Sequence, residues 1–188
     1  MKICKIIKWT CSFLRLIKYK LIFRKNIEIQ LQNKKKPPYI GKNCDIFIDK
    51  NSKLIIKSGT YISPYCKIGV YEQGIIQLDE KVYMGMNCRL ICRERICIGE
   101  NVLLADNVSV YDHDHNYTDL TKSIGQQGYK TKKVNISKNC WLATNVTVLK
   151  GTDIGERVII GANSVAINKI DGYGVYIGNP LRKIKEIM

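Results

Sequence analysis

His113 and His115 are the only imidazoles in the 188-residue chain, and they stand together in Asp112-His-Asp-His-Asn116. A neutral imidazole takes up and returns protons near neutral pH, so this segment predicts a general base. Asp112 or Asp114 is available to orient the ring and fix its tautomer. Two imidazoles are few for a metal centre, and the eight cysteines include no Cys-x-x-Cys spacing, so no metal is expected.

The element that positions this segment shows itself as a period. Ile136, Leu142, Val148, Ile154, Ile160 and Ala166 fall at intervals of six, and Cys140, Val146, Thr152, Val158 and Ser164 follow the first five at four residues. Upstream, Ile40 and Ile46, then Ile56, Ile62 and Ile68, then Leu78, Met84 and Leu90, then Ile98, Leu104 and Val110 keep the spacing with interruptions. A helix repeats every 3.6 residues and a simple strand every 2, so neither accounts for it. A triangular coil does, with one short strand and one corner per six residues and about eighteen residues per turn. Stacked turns pair as parallel ladders around a column of aliphatic side chains. Cys44, Cys66, Cys88 and Cys140 sit at the small-residue position of the repeat and are read as packing residues.

Five segments follow one another along the chain: Ile98-Gly-Glu-Asn-Val-Leu-Leu-Ala, Val110-Tyr-Asp-His-Asp-His, Cys140-Trp-Leu-Ala-Thr-Asn-Val-Thr-Val, Ile159-Ile-Gly-Ala-Asn-Ser-Val and Ile177-Gly-Asn-Pro-Leu-Arg-Lys-Ile. As an ordered set, over roughly residues 40–188, they resemble the hexapeptide-repeat acyltransferases and, within them, the galactoside, maltose and polysaccharide O-acetyltransferase branch. The resemblance implies an all-β fold, a left-handed parallel β-helix assembled as a homotrimer. It also implies transfer of an acetyl group from acetyl-CoA to a sugar or polysaccharide hydroxyl, with a histidine base and the CoA held in the groove between neighbouring subunits.

Residue by residue, a gapless register from Asn101 through Val110 puts the family's catalytic histidine on His115 and leaves His113 in reserve. The family's oxyanion donor, a backbone N–H, falls on Thr144, and Trp141 stands as a wall beside the acceptor or thioester. Main-chain groups near Ala143 and Ala162 are expected to face the pantetheine arm, and Arg182 and Lys185 the nucleotide phosphates, unless the latter two are a solvated basic tail. The sequence departs from the branch in Tyr83-Met-Gly-Met-Asn87. Gly85 cannot supply the acceptor-binding asparagine found near there in the galactoside enzymes. Asn87 is the remaining candidate, and the acceptor stays open between O- and N-acetylated sugars.

Charge separates the N-terminus from the rest. Lys and Arg outnumber Asp and Glu by 31 to 16, and residues 1–40 hold eleven basic residues against Glu28 alone. Ile3, Ile6, Ile7, Phe13, Leu14, Ile17 and Leu21 form one helical stripe with Lys2, Lys5, Lys8, Arg15 and Lys20 off it, which predicts a basic amphipathic helix. Its partner is either an anionic membrane surface, reached through residues 1–25, or the protein itself. Lys34-Lys-Lys-Pro-Pro38 reads as a stiff basic linker. The expected organisation is a helix and linker over 1–36, a β-helix over 37–180 with a long loop at 111–133, and a basic ending over 181–188. No apolar run approaches the roughly 18 residues of a membrane span and no leader pattern is evident, so a cytoplasmic location with reduced thiols is expected. Nucleic acid is not an expected partner, because the charge is concentrated before residue 40 and no recognition motif accompanies it. Two other classes compete: a metal-dependent hydratase on the same coil, which needs three histidines, and a non-catalytic β-helix binding module.

Overall fold

The computed structural model describes residues 2–31 and 36–187, with side chains from Ile6 onward. Lys34 and Lys35 of the basic stretch, and the side chains of Lys2, Ile3 and Lys5, lie outside the described residues. One helix, Lys2–Phe23, precedes a series of short strands that form three sheets of seven, eight and six strands, parallel throughout except for the last strand of the eight. This is a left-handed parallel β-helix: the six-residue period predicts the stacked triangular coil, and the family resemblance implies its hand.

The period maps onto the ladders position by position. On the first face, Ile29, Ile56, Leu78, Ile98, Ile136, Ile154 and Ile170 are successive partners. On the second, Ile40, Ile62, Met84, Leu104, Leu142, Ile160 and Tyr176 follow one another. Ile46, Ile68, Leu90, Val110, Val148 and Ala166 make the third. Nearly all of these side chains are buried, in one continuous core. The coil shortens along the chain: Lys53 pairs with Ile75, Ile75 with Arg95, Trp141 with Ile159 and Asp153 with Lys169. Those offsets are 22, 20, 18 and 16 residues, so the eighteen-residue turn holds for the later coils and the earlier ones carry longer corners.

Corners between the second and third faces are closed by Asn43, Asn87, Asn107, Asn145 and Asn163, all with φ between 55° and 62°. Asparagine tolerates that left-handed backbone better than other side-chain-bearing residues, which accounts for its recurrence. Cys66, Cys88 and Cys140 are buried just inside these and the neighbouring corners, and Cys44 is half-buried. Each thiol reaches a carbonyl of the next coil: Cys44 that of Ser63 at 3.2 Å, Cys66 that of Gly85 at 3.1 Å, Cys88 that of Ala105 at 3.0 Å and Cys140 that of Gly155 at 3.0 Å. Burial pushes the Cys140 thiol up to about 11, so it is not a nucleophile at neutral pH.

The helix closes the open end of the coil, but not with the stripe the sequence suggests. Ser12, Leu16 and Tyr19 face inward and are buried, whereas Ile6, Ile7, Phe13, Leu14, Ile17 and Leu21 are exposed. A terminal coil has no predecessor to pair its backbone, so its polar groups need side-chain partners. Ser12 Oγ accepts the Ile40 N–H at 2.8 Å, Arg15 Nε donates to the Ile40 carbonyl at 2.9 Å, and the Tyr19 hydroxyl donates to the Cys44 carbonyl at 2.7 Å. Hydrogen-bonding capacity therefore joins apolarity in setting the packing face, where Leu16 is buried beside Ser12 and Tyr19. Downstream of the helix, Ile27–Gln30 pairs with the strand Lys53–Lys57, so part of the stretch expected as helix and linker joins the first face.

Candidate active site

The coil is interrupted after Val110 by a two-stranded antiparallel hairpin, His113–His115 against Tyr129–Thr131, with His113 opposite Thr131 and His115 opposite Tyr129. Its base is fixed by Asp112. This carboxylate is fully buried and accepts the backbone N–H groups of Arg93 at 2.9 Å, Glu94 at 2.7 Å and Arg95 at 2.8 Å, all from the preceding coil. The Cys92 thiol also donates to it, at 3.1 Å, and His113 Nδ1 lies 3.0 Å from Oδ1. Burial works to raise the Asp112 pKa, but the His113 and backbone hydrogen bonds outweigh it and hold the carboxyl below its ordinary value. An ionised Asp112 can only accept, so in the neutral imidazole the proton of His113 sits on Nδ1 and the lone pair on Nε2.

The two histidines differ in their surroundings. His113 is nearly buried, its ring edge-on to Tyr111 at 6.4 Å and to Tyr129 at 5.3 Å between centroids. His115 is exposed and lies tilted on Tyr129 at 4.7 Å. Asp114 turns away from both and pairs with Lys150 at 2.5 Å. Tyr129 is held from behind by Arg93, whose guanidinium carbon is 3.4 Å from the ring centroid and which also pairs with Glu72. Arg93 and Tyr129 therefore clamp the hairpin that carries the histidines, a role the sequence did not suggest.

A second group of expected site residues gathers elsewhere. Trp141 lies on the outer surface of the second face between Leu103 and Ile159, and is 47% exposed. Ala143, Thr144 and Ala162 follow at the corner between the second and third faces, where Asn87 also lies, two coils away. The Ala143 N–H is taken by the Ile160 carbonyl at 2.9 Å. The Thr144 N–H has no acceptor among the described residues, and comparison with another coil shows why. Met86 and Asp106 occupy the equivalent ladder positions, and there the Met86 N–H donates to Asp106 Oδ1 at 2.7 Å. The slot beneath Thr144 holds Ala162, whose methyl group offers no acceptor.

Gly85 lies on this same edge, and a Cβ there would come within 2.5 Å of Asp106 Oδ1 and 2.6 Å of the Ala105 carbonyl carbon. The missing asparagine of the galactoside branch thus has no room, and Asn87 is accounted for by its left-handed corner. Arg182 and Lys185 are exposed on the strand Arg182–Glu186, which folds back on Gly174–Ile177 in antiparallel pairing, and neither forms an ion pair among the described residues.

One chain does not bring the two groups together. The histidines stand at the corner between the third and first faces, and Thr144 at the corner between the second and third. About five extended residues separate those edges, as between Asn107 and Asp112, or ~17 Å at ~3.3 Å per residue. That is several times the reach of a hydrogen bond. Among the described residues no cluster of three or more His, Cys, Asp or Glu side chains could hold a metal ion.

Residues 133–167 match the family model described as bacterial transferase hexapeptide (six repeats). Rv3034c of Mycobacterium tuberculosis, an acetyltransferase by name, is 30% identical over 148 residues, 78% of this chain but 49% of that protein, so the chain spans about half its length. WbbJ of Escherichia coli, whose name assigns it to lipopolysaccharide biosynthesis as an O-acetyl transferase, is 29% identical over 186 residues, covering 94% of this chain and 89% of WbbJ. Among solved structures, a mutant of AntD, an N-acyltransferase from Bacillus cereus bound to dTDP-4-amino-4,6-dideoxyglucose and coenzyme A, superposes with a TM-score of 0.73. It is 19% identical, with 90% of this chain and 89% of AntD covered, a likeness of fold.

Proposed function

We propose that this hexapeptide-repeat chain is an acetyl-CoA-dependent O-acetyltransferase, acting on a sugar hydroxyl of a surface polysaccharide or its precursor. The observation that carries the reading is the buried, ionised Asp112 holding Nδ1 of His113, which leaves Nε2 as a base. His115, on which the gapless register falls, has no carboxylate partner and is exposed. The geometry therefore supports His113 as the base and His115 as a neighbour that lines the entrance.

A sugar hydroxyl is a weak nucleophile at neutral pH, and His113 Nε2 removes its proton as the oxygen attacks the thioester carbonyl. The carbonyl oxygen takes up the charge and is met by the Thr144 N–H, a donor with no acceptor among the described residues. Collapse expels the CoA thiolate, which receives the proton from the imidazolium. Because the two edges are ~17 Å apart within one chain, His113 works with Thr144 and Trp141 of a neighbouring copy. A homotrimer, in which each edge of one coil faces a different edge of the next, supplies three such sites. The CoA fits the same edge: small Ala143 and Ala162 leave the backbone open to the pantetheine arm, and the exposed cations Arg182 and Lys185 suit the phosphates.

A second reading keeps the site and changes the acceptor to an amino group on a nucleotide-linked sugar, favoured by the likeness to AntD. Incubation with acetyl-CoA and a panel of sugars, followed by mass spectrometry and base hydrolysis of the product, separates ester from amide. No transfer to any acceptor leaves a non-catalytic binding coil.

The chain works at the inner face of the plasma membrane, where lipid-linked glycans are assembled. Among the described residues no helix is long and apolar enough to cross a membrane. What supports a peripheral contact is the helix stripe of Phe13, Leu14, Ile17 and Leu21, exposed between 40% and 71% beside Lys18 and Lys20.

A further inference from the structure

The hairpin that carries the histidines also frames a groove that the mechanism above does not use. Its volume is about 600 Å³, and it opens on the first face between Arg95, Cys97, Lys132, Lys133, Asn135 and Asp153. Three cations meet one carboxylate there, and among the described residues none of Arg95, Lys132 and Lys133 forms an ion pair. Asp153 is itself engaged, accepting from Asn135 Nδ2 at 2.8 Å. Some lysines along the coil do find carboxylates on adjacent turns, as in Lys57–Asp79 at 2.6 Å and Lys81–Glu100 at 3.2 Å. Converging cations that repel one another and lack a protein counter-ion mark a place for an anion.

Lys132 is built into position. Its N–H donates to the Asp112 carbonyl at 2.8 Å, and its carbonyl accepts from Gly151 at 3.0 Å. Its stem crosses Gly151, where a Cβ would come within 2.5 Å of Lys132 Cδ, and Gly151 adopts φ +76°. The residue before it, Thr131, is the hairpin partner of His113. Asp112 thus anchors both the imidazole and the first cation of the groove.

From this placement we infer that the groove binds the diphosphate of the acceptor, so that the sugar is acetylated while still attached to its activated carrier. This rests on the acetyl-transfer reading above for the sugar, though not for the anion. The CoA phosphates do not compete for it, because Arg182 and Lys185 lie on the strand paired with the second face. Groups facing the anion would be the Lys132 and Lys133 ammonium ions and the terminal nitrogens of Arg95, whose Nε donates to Cys97 Sγ at 3.2 Å.

Titration calorimetry of the full chain with inorganic pyrophosphate tests the site without any turnover. Binding should weaken as salt is raised, and Lys132→Gln with Lys133→Gln should weaken it at least tenfold while leaving the thermal transition in place. Binding that is absent from the parent chain, or unchanged in the double variant, overturns the inference. In the kinetic arm the double variant should raise KM for a diphosphate-linked sugar about tenfold, with KM for acetyl-CoA and turnover of a free sugar unchanged. Equal effects on linked and free sugars overturn it as well. Nucleoside diphosphates binding more tightly than pyrophosphate assign a nucleotide carrier, and equal affinity assigns a lipid diphosphate. Pyrophosphate binding lost in the variant, in a chain that acetylates nothing, keeps the anion site and removes the acetyl-transfer reading.

Discussion

Asp112 Oδ1 lies 3.0 Å from His113 Nδ1, and the same carboxylate takes three backbone N–H groups from the coil beneath. The imidazole is therefore oriented by a group that is itself immobilised by main chain. General-base help is worth roughly 10²–10⁴ in rate, so His113→Ala should lower kcat by about that factor with KM for acetyl-CoA little changed. Asp112→Asn should lower kcat too, because the amide N–H can donate to Nδ1 and favour the tautomer whose proton sits on Nε2, where the base is needed. His115→Ala should cost less than about tenfold. Steady-state kinetics on the three variants, each checked for its oligomeric state, decide the matter. An inactive His115→Ala beside a near-normal His113→Ala would return the base to His115.

The same carboxylate makes stability depend on acid. Its folded pKa is held below the unfolded value of about 3.9, so its contribution is fully present above that value and is lost as pH falls through the folded pKa. At pH 7, Asp112→Asn should destabilise the chain by about 2 kcal/mol, through weaker acceptance of the Arg93, Glu94 and Arg95 N–H groups. That gap should narrow as pH is lowered below about 4 and through the depressed folded pKa, where the parent carboxylate also becomes neutral. Thermal melts of the two chains across this range measure it, and a gap that widens in acid contradicts the assignment.

The coil was legible because Ile136, Leu142 and Val148, and their counterparts upstream, must each point inward once per face, which imposes a six-residue signal on the sequence. Asp112 was legible only as a neighbour of histidine. Its partners arrive from 17 to 19 residues earlier, at a distance set by a corner length that varies from coil to coil. Arg93 and Tyr129 were hidden for the same reason. The apolar stripe left its partner open between a membrane surface and the protein itself and could not mark the packing face, because the end of a β-helix also offers bare backbone. Ser12, Arg15 and Tyr19 answer that need, and leave Phe13 and Leu21 outward.

The two faces of the helix can be tested apart. Leu16→Ala removes a buried side chain from the end of the core and should cost about 2–4 kcal/mol, seen in chemical denaturation. Ile17→Asp with Leu21→Asp, on the exposed face, should leave stability within about 0.5 kcal/mol. The double variant should, however, lose sedimentation with vesicles of anionic phospholipid, whereas the parent chain binds them and ignores zwitterionic ones. Unfolding or loss of the oligomer in that variant would assign the stripe to protein packing.

Thr144 carries the last prediction, and Ala162 is the lever. One edge of the coil shows what happens when the position one turn on is acidic: the Met86 N–H is captured by Asp106 Oδ1 at 2.7 Å. Thr144 and Ala162 stand in the same ladder relation, two residues beyond the pair Leu142 and Ile160, so Ala162→Asn should place a side-chain oxygen on the Thr144 N–H. The donor is then occupied before the thioester arrives. Removing one oxyanion donor costs roughly 10²–10³ in kcat, and a fall of about that size is expected, in kcat more than in KM for acetyl-CoA. Ala162→Asp should do the same and also repel the CoA phosphates, raising KM, so the neutral variant is the cleaner probe. Ala162 is exposed, and neither change should disturb the core or the thermal transition. The control is Ala162→Val, which adds bulk without an acceptor: if it lowers kcat as far as Ala162→Asn, crowding of the CoA edge explains the loss and the Thr144 N–H is not the oxyanion donor.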